Sequence, residues 1–256
     1  MRASVMVPKM CANYEPSAPG LFAGLDDYCG LPWPALAETD VYPELQGPFF
    51  RRPPHVDVFD EHYHEAAPEL EILSGTFGLM PWWTKEPAMA RRTYNARTET
   101  VSKKPAYRDA WARGQHCLIP VKAFFEPDWR SGESVRTRFE LVDGGPMMIA
   151  GLWDRSKPGV TEIFSFTMLT INADNHPLLR NYHKVGAEKR MIVVPPRPQW
   201  EEWLDAPPER SMDFMNQYPA EQLVATPAPR PTKPKTPAEK AKPTPAAVAR
   251  EPDLFG

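Results

Sequence analysis

The sequence predicts an α+β fold: a single compact domain on a curved, largely antiparallel, barrel-like β-sheet with flanking helices. Three observations carry that prediction. Short apolar runs rich in β-branched and aromatic residues crowd the middle of the chain, from Leu70 to Val194. Helical spacing is confined to two short stretches. No βαβ alternation and no glycine-rich phosphate loop occur, which argues against a doubly wound parallel sheet.

The elements follow in order. Leu70–Ser74 and Gly75–Met80 read as a hairpin or two short strands. Pro105–Arg113 places Tyr107, Ala110 and Trp111 at helical spacing, with Gly114 as its stop. Cys117–Pro120 and Ala123–Phe125 are apolar runs bounded by proline and strand-like. Arg138–Val142, Met147–Trp153, Ile163–Ile171 and Met191–Val194 complete a strand-rich centre, and the turn formers Asp143-Gly-Gly-Pro146 separate the first two. Arg197–Leu204 reads as a helix with proline in its first turn.

Composition limits the function classes. The chain has 256 residues, 42% hydrophobic and 25% charged, ordinary values for a soluble globular protein. Its 32 prolines are more than twice the usual share, and many fall after Pro227. Residues 227–256 interleave Pro with Lys, Thr and Ala and carry six basic and three acidic residues. Such a segment buries too little apolar surface to offset its ordering entropy, so a disordered tail is expected. The formal charge is −3, which leaves −6 on residues 1–226 (24 basic against 30 acidic). Any nucleic-acid site is therefore a local cleft and not a basic coat. A local patch is expected from Arg91, Arg92, Arg97, Lys103, Lys104 and Arg190.

Cys11, Cys29 and Cys117 show no CxxC or Cys/His metal spacing, so a reducing cytoplasm is expected and neither a disulfide framework nor a zinc site. His62 and His64, with Glu61, have His-x-His spacing without a clear third ligand; no metal or cofactor is expected. Cys117 follows His116, but neighbours on a strand face opposite ways, so that histidine does not activate that thiol. No apolar run is long enough for a signal peptide or a membrane span. Nothing resembles an oligomerisation element, and a monomer is expected.

Four strings stand out: Met10-Cys-Ala-Asn-Tyr14; Phe77-Gly-Leu-Met-Pro-Trp-Trp83 followed by Tyr94-Asn-Ala-Arg-Thr-Glu-Thr100; Cys117-Leu-Ile-Pro-Val-Lys-Ala-Phe-Phe-Glu-Pro127; and Leu169–Asp174 running to His183 and Lys189-Arg-Met191. Singly each has a bland reading as packing or surface. Together and in this order they resemble the SRAP family, the SOS response-associated peptidases, which also act as abasic-site DNA–protein crosslinkers. The resemblance runs from about Met10 to about Leu204.

The resemblance implies a set of roles. Cys11, once N-terminal, supplies an α-amine and a thiol that condense with the aldehyde of an abasic sugar to a thiazolidine. Glu126 matches the catalytic glutamate; a partly buried carboxylic acid can hold a raised pKa, orient the amine and donate a proton. His183 matches the family histidine, suited to proton transfer. Asn95 matches the asparagine that holds the reacting terminus. Arg97 grips a phosphate beside the lesion, Trp82 and Trp83 stack on bases flanking the gap, and Asn13 stands where the family has a DNA-contacting arginine. The partner implied is single-stranded DNA containing abasic sites.

There are departures from the pattern. The family start is Cys-Gly-Arg, whereas this chain has Cys11-Ala12-Asn13, and the histidine lies seven residues before Arg190 where the family often has two. Cys11 also stands behind residues 1–10, so its nitrogen is an amide unless translation starts at Met10 and that Met is removed, or a leader is cleaved by the protein's own peptidase activity. The expected organisation is residues 1–10 as leader or misassigned start, 11–226 as catalytic domain and 227–256 as tail. Leu254-Phe255 at the tail's end resembles the peptides that dock on the replicative sliding clamp, without their usual glutamine. Two other readings stay open: a thiol peptidase using Cys11, His183 and Glu126 without DNA, and a non-catalytic single-strand-binding module.

Overall fold

A computed structural model of the chain describes residues 12–35, 40–53, 69–157 and 161–230. Within these, ten strands form one sheet: β1 (Tyr14–Pro16), β2 (Gln46–Arg51), β3 (Glu71–Phe77), β4 (Asn95–Arg97), β5 (His116–Asp128), β6 (Val135–Leu141), β7 (Met147–Ser156), β8 (Ile163–Asn172), β9 (Arg190–Ile192) and β10 (Leu223–Pro227). β5 pairs β2, β2 pairs β3, β3 pairs β8, β8 pairs β7, and β7 returns to β5. This closed five-strand barrel is the core of a single α+β domain. Closure removes the unpaired edges that an open sheet exposes. Every pairing is antiparallel except β3–β8 and β4–β8.

The helices are short and lie outside the barrel: α1 (Asp26–Cys29), α2 (Arg108–Ala112) and α3 (Trp200–Asp205). The predicted helix at Pro105–Arg113 shrinks to α2, and Gly114 ends it at φ +60°, a left-handed conformation that glycine adopts freely. Arg197–Gln199 starts as a 3₁₀ turn and continues as α3, which buries Trp200, Trp203 and Leu204. The Trp203 indole N–H donates to the Cys117 carbonyl at 2.9 Å, tying α3 to the barrel wall.

Two strands differ from the sequence reading. Ser74-Gly75 does not turn; β3 runs straight through it, paired with β2 along its length. Gly75 is needed for space, because a Cβ there would lie 2.7 Å from Phe49 Cε1. The two runs around Pro120 are likewise one thirteen-residue strand, β5. It pairs with β7 from His116 to Val121 and with β6 from Phe124 to Asp128, so Pro120 falls next to the exchange of partners. Its carbonyl accepts from Ser17 N–H at 3.1 Å, and the missing N–H falls beside the point where the ladder changes partner.

The core in and around the barrel is aromatic. Phe77 stacks with Phe166 at 5.6 Å and meets Tyr14 edge-on at 5.4 Å; Phe124 stacks on Phe139 at 5.0 Å, which meets Tyr182. Each such ring, fully buried, stabilises the fold by roughly 1.5–3 kcal/mol. Cys117 is also fully buried, and burial pushes its thiol pKa up.

Candidate active site

β5 leaves the barrel carrying Glu126, which is 2% exposed. It meets His183, from the loop between β8 and β9, with Nδ1 3.5 Å from Glu126 Oε2. His183 is held by its backbone as well. Its N–H donates to the Pro127 carbonyl at 2.9 Å, and its φ is +63°. That conformation costs a residue with a Cβ roughly 1 kcal/mol, and histidine is among the types that adopt it most readily. The hydrogen bond to Pro127 therefore fastens His183 directly beside the end of β5.

Burial, with a smaller contribution from the Lys189 ammonium, pushes the His183 pKa down to about 4. The ring is thus neutral at physiological pH, and the Glu126 contact is not an ion pair there. Its Nε2 lies 3.3 Å from the Arg190 carbonyl, which assigns the ring proton to that nitrogen. Nδ1 then faces the Glu126 carboxyl.

Arg190 organises the surroundings. Its guanidinium, 1% exposed, binds Glu99 through both terminal nitrogens (2.6 and 2.9 Å), Glu188 at 2.9 Å and the Thr170 carbonyl at 2.6 Å. This explains why Asn95-Ala-Arg-Thr-Glu99 and Lys189-Arg-Met191 occur together in the sequence. β8 accepts β4 along one edge, Asn95 opposite Met168 and Arg97 opposite Thr170. Along the other it accepts β9, Arg190 opposite Asn172. The Glu99–Arg190 clamp locks the two across β8. The seven-residue spacing from His183 to Arg190 is absorbed by a loop whose Lys184, Val185 and Gly186 are exposed, so His183 still packs under Arg190.

The remaining predicted residues divide. Asn95 is half-buried on β4, and its carbonyl accepts from Tyr107 OH at 3.1 Å. Arg97 is half exposed and pairs with Glu188 at 2.8 Å. Asn13 is buried beside β1 and donates to Asp40 Oδ2 at 3.2 Å. Trp82 and Trp83 are both exposed. The expected basic patch is partly spent. Arg190 is buried, and Arg91 pairs with Glu44 at 2.5 Å. Cys11 lies outside the described residues, as do Glu61, His62, His64 and Leu254-Phe255. Sequence reading missed Glu99 and Glu188 as the carboxylates that hold Arg190. The available signal was charge alone: Glu99 lies within a string already singled out, and Glu188 immediately precedes one.

Among the described residues no cluster of His, Cys, Asp and Glu is arranged to hold a metal ion, and no helix is long and apolar enough to cross a membrane. Residues 36–231 match the family model described as SOS response associated peptidase (SRAP). The abasic site processing protein YoqW of Bacillus subtilis (strain 168) is 26% identical over 156 residues, covering 58% of this chain and 65% of that protein. The abasic site processing protein HMCES of Xenopus tropicalis is 22% identical over 178 residues, covering 58% of this chain and 52% of its own length. The chain thus spans less than two thirds of either relative. A solved structure of a Bordetella bronchiseptica protein superposes with a TM-score of 0.73 at 40% identity, covering 85% of this chain and 99% of that one. A Bacteroides thetaiotaomicron structure, at 17% identity and a TM-score of 0.64, shares the fold.

Proposed function

Because the chain belongs to the SOS response associated peptidase (SRAP) family, we propose that it processes abasic sites in single-stranded DNA, capturing them covalently through Cys11. The observation that carries this reading is the buried contact between Glu126, near the end of β5, and His183 of the β8–β9 loop. The names of YoqW and HMCES point to the same substrate.

The chemistry needs Cys11 at a free N-terminus, reached by initiation at Met10 and Met removal or by peptidase action on residues 1–10. The α-amine lone pair attacks C1′ of the ring-opened sugar aldehyde, and a proton moves from nitrogen to oxygen to give a carbinolamine. Loss of water gives the imine. The thiol sulfur then adds to the same carbon while its proton goes to nitrogen, closing a thiazolidine; the whole sequence releases one water. Both nucleophiles belong to one residue, so the second addition is intramolecular and gains from proximity. Glu126 supplies and recovers the proton at the sugar oxygen, and neutral His183 accepts and returns it across the 3.5 Å contact. Asn95 orients the terminus. Arg97, Trp82 and Trp83 contact the strand, the tryptophans by stacking on bases, whereas Asn13, buried and bonded to Asp40, is not placed to do so.

Intact-mass measurement tests this, using the chain begun at Met10 and a single-stranded oligonucleotide with one abasic site. The expected product has the mass of Cys11-initiated protein plus DNA minus one water. It is lost in Cys11→Ala and with an abasic analogue that has no aldehyde. An adduct that persists in Cys11→Ala, or no adduct at all, refutes the assignment.

A further inference from the structure

β1 pairs with β5 in antiparallel register, Tyr14 opposite Phe124 and Glu15 opposite Ala123. A step back along the chain from Tyr14 is therefore a step along β5 from Phe124 toward Glu126. The backbone alone holds this course weakly, because β1 is only three residues long. On its other side Tyr14 exchanges two hydrogen bonds with Val41, at 2.8 and 3.2 Å. That bridge brings the residue before Val41, Asp40, alongside the start of the domain.

The Asp40 carboxylate is a point of convergence. Its Oδ2 accepts from Asn13 Nδ2 at 3.2 Å, from the Tyr42 hydroxyl at 3.2 Å and from Arg136 Nη2 at 2.5 Å. Asn13 is buried and stands two residues after Cys11. Arg136, on β6, lies opposite Pro127, and its guanidinium carbon is 3.3 Å from the centre of the Phe125 ring. Phe125 and Pro127 flank Glu126. One oxygen thus ties the residue nearest the reacting terminus to the stretch of β5 that carries the carboxyl.

Electrostatics fit an anchor better than a proton carrier. A lone carboxylate beside an amine favours the protonated, unreactive form of that amine. Arg136 offsets the charge of Asp40, which leaves it to act by geometry. The exchange of the family's arginine for Asn13 then has a physical purpose, since a short amide turned inward binds Asp40 and does not reach outward to a phosphate.

We propose that Asp40 is a positioning residue for capture: by binding Asn13 it keeps the N-terminal residues in line with Glu126. The inference rests on the proposed capture through Cys11 and adds no catalytic group to it. The test compares the parent with Asn13→Ala, Asp40→Ala, the double variant and Asp40→Asn, which keeps an acceptor for the Asn13 amide. Thermal melts establish that each is folded. Hydrogen exchange of the peptide spanning residues 12–17 is measured in the full chain without DNA. Single-turnover crosslinking at saturating abasic-site DNA is measured in the chain begun at Met10, with affinity for a lesion-free oligothymidine read by anisotropy.

Asp40→Ala should speed exchange of that peptide and slow crosslinking by about tenfold each, with affinity within about twofold of the parent. Exchange in β7 and β8 should stay at the parent rate. Asp40→Asn should fall between. Because Asn13 acts through Asp40, the double variant should crosslink no more slowly than the slower single one. Unchanged exchange in Asp40→Ala overturns the inference whether or not DNA is captured. So do losses that multiply in the double variant, or a fall in affinity as large as the fall in rate. A parent that forms no adduct refutes capture through Cys11, and the exchange result alone then decides whether Asp40 anchors the terminus.

Discussion

At the scale of single residues, the proposed chemistry rests on a carboxyl and a neutral imidazole. Glu126→Gln keeps the side chain's size and removes its proton exchange. It should slow crosslinking by about 10²–10⁴-fold while leaving non-covalent affinity for lesion-containing DNA near the parent value. Single-turnover rates and anisotropy on the same samples check this, and equal losses in both would make Glu126 a binding residue instead. His183 has its pKa at about 4 because it is buried, so it stays neutral from about pH 5 upward. The crosslinking rate should therefore show no inflection near the ordinary histidine value of about 6.5. A limb with that midpoint, lost in His183→Ala, would mean that the ring titrates exposed to water. Among these residues Glu126 was legible in the sequence, because its string is contiguous. His183 was less so, since its position depends on a loop of unusual length and on a positive φ that no local pattern announces.

At the scale of elements, the Arg190 clamp joins β4 and β9 across β8. Arg190→Met should destabilise the protein by about 1–3 kcal/mol, below the full cost of breaking a buried pair because Glu99 and Glu188 are partly exposed and can rehydrate. Denaturant titration measures it, and an unchanged midpoint would remove the clamp's structural role. Gly75→Ala places a Cβ against Phe49 in the continuous strand β3. It should cost roughly 1–3 kcal/mol, read as a lower melting temperature; a neutral result would show that the barrel wall yields there. The strands at 135–172 were readable because their apolar runs are uninterrupted and flanked by turn formers. β2, β4 and β10 were not, because each is short or contains proline, and tertiary pairing rather than propensity makes it a strand. The turn read at Ser74-Gly75 failed for a related reason. Glycine signals either a turn or a close approach, and only the neighbouring Phe49 decides which.

At the scale of the whole molecule, two buried imidazoles set a pH dependence. His116, stacked 3.9 Å from Trp203 and bonded to Ser211 Oγ at 2.8 Å, has its pKa pushed down to about 4 by burial, as His183 does. In the unfolded chain both titrate near 6.5. The unfolded state therefore takes up protons first as pH falls, and stability is full above about 6.5 and lost progressively toward 4. Each histidine contributes on the order of 1–3 kcal/mol to that loss. Melting temperatures between about pH 7 and pH 4 should fall, and His116→Gln should flatten part of the slope; a profile level across this window would refute the burial argument. The α+β barrel class was legible from strand density and the absence of βαβ alternation. The closure of five strands was not, because it depends on a parallel β3–β8 pairing between distant segments.

That pairing also sets a schedule for synthesis. Thr76 meets Ser165, and His183 lies further on still. The ring cannot close on a growing chain until β8 has left the ribosome, and such long-range pairings form slowly. In the proposed chemistry an N-terminal cysteine, exposed early, is a bare aminothiol open to any cellular aldehyde, without Glu126 and His183 to hasten one reaction over another. In that proposed chemistry, the late closure of the barrel sets a maturation interval in which the nascent terminus is vulnerable, and after which it becomes selective.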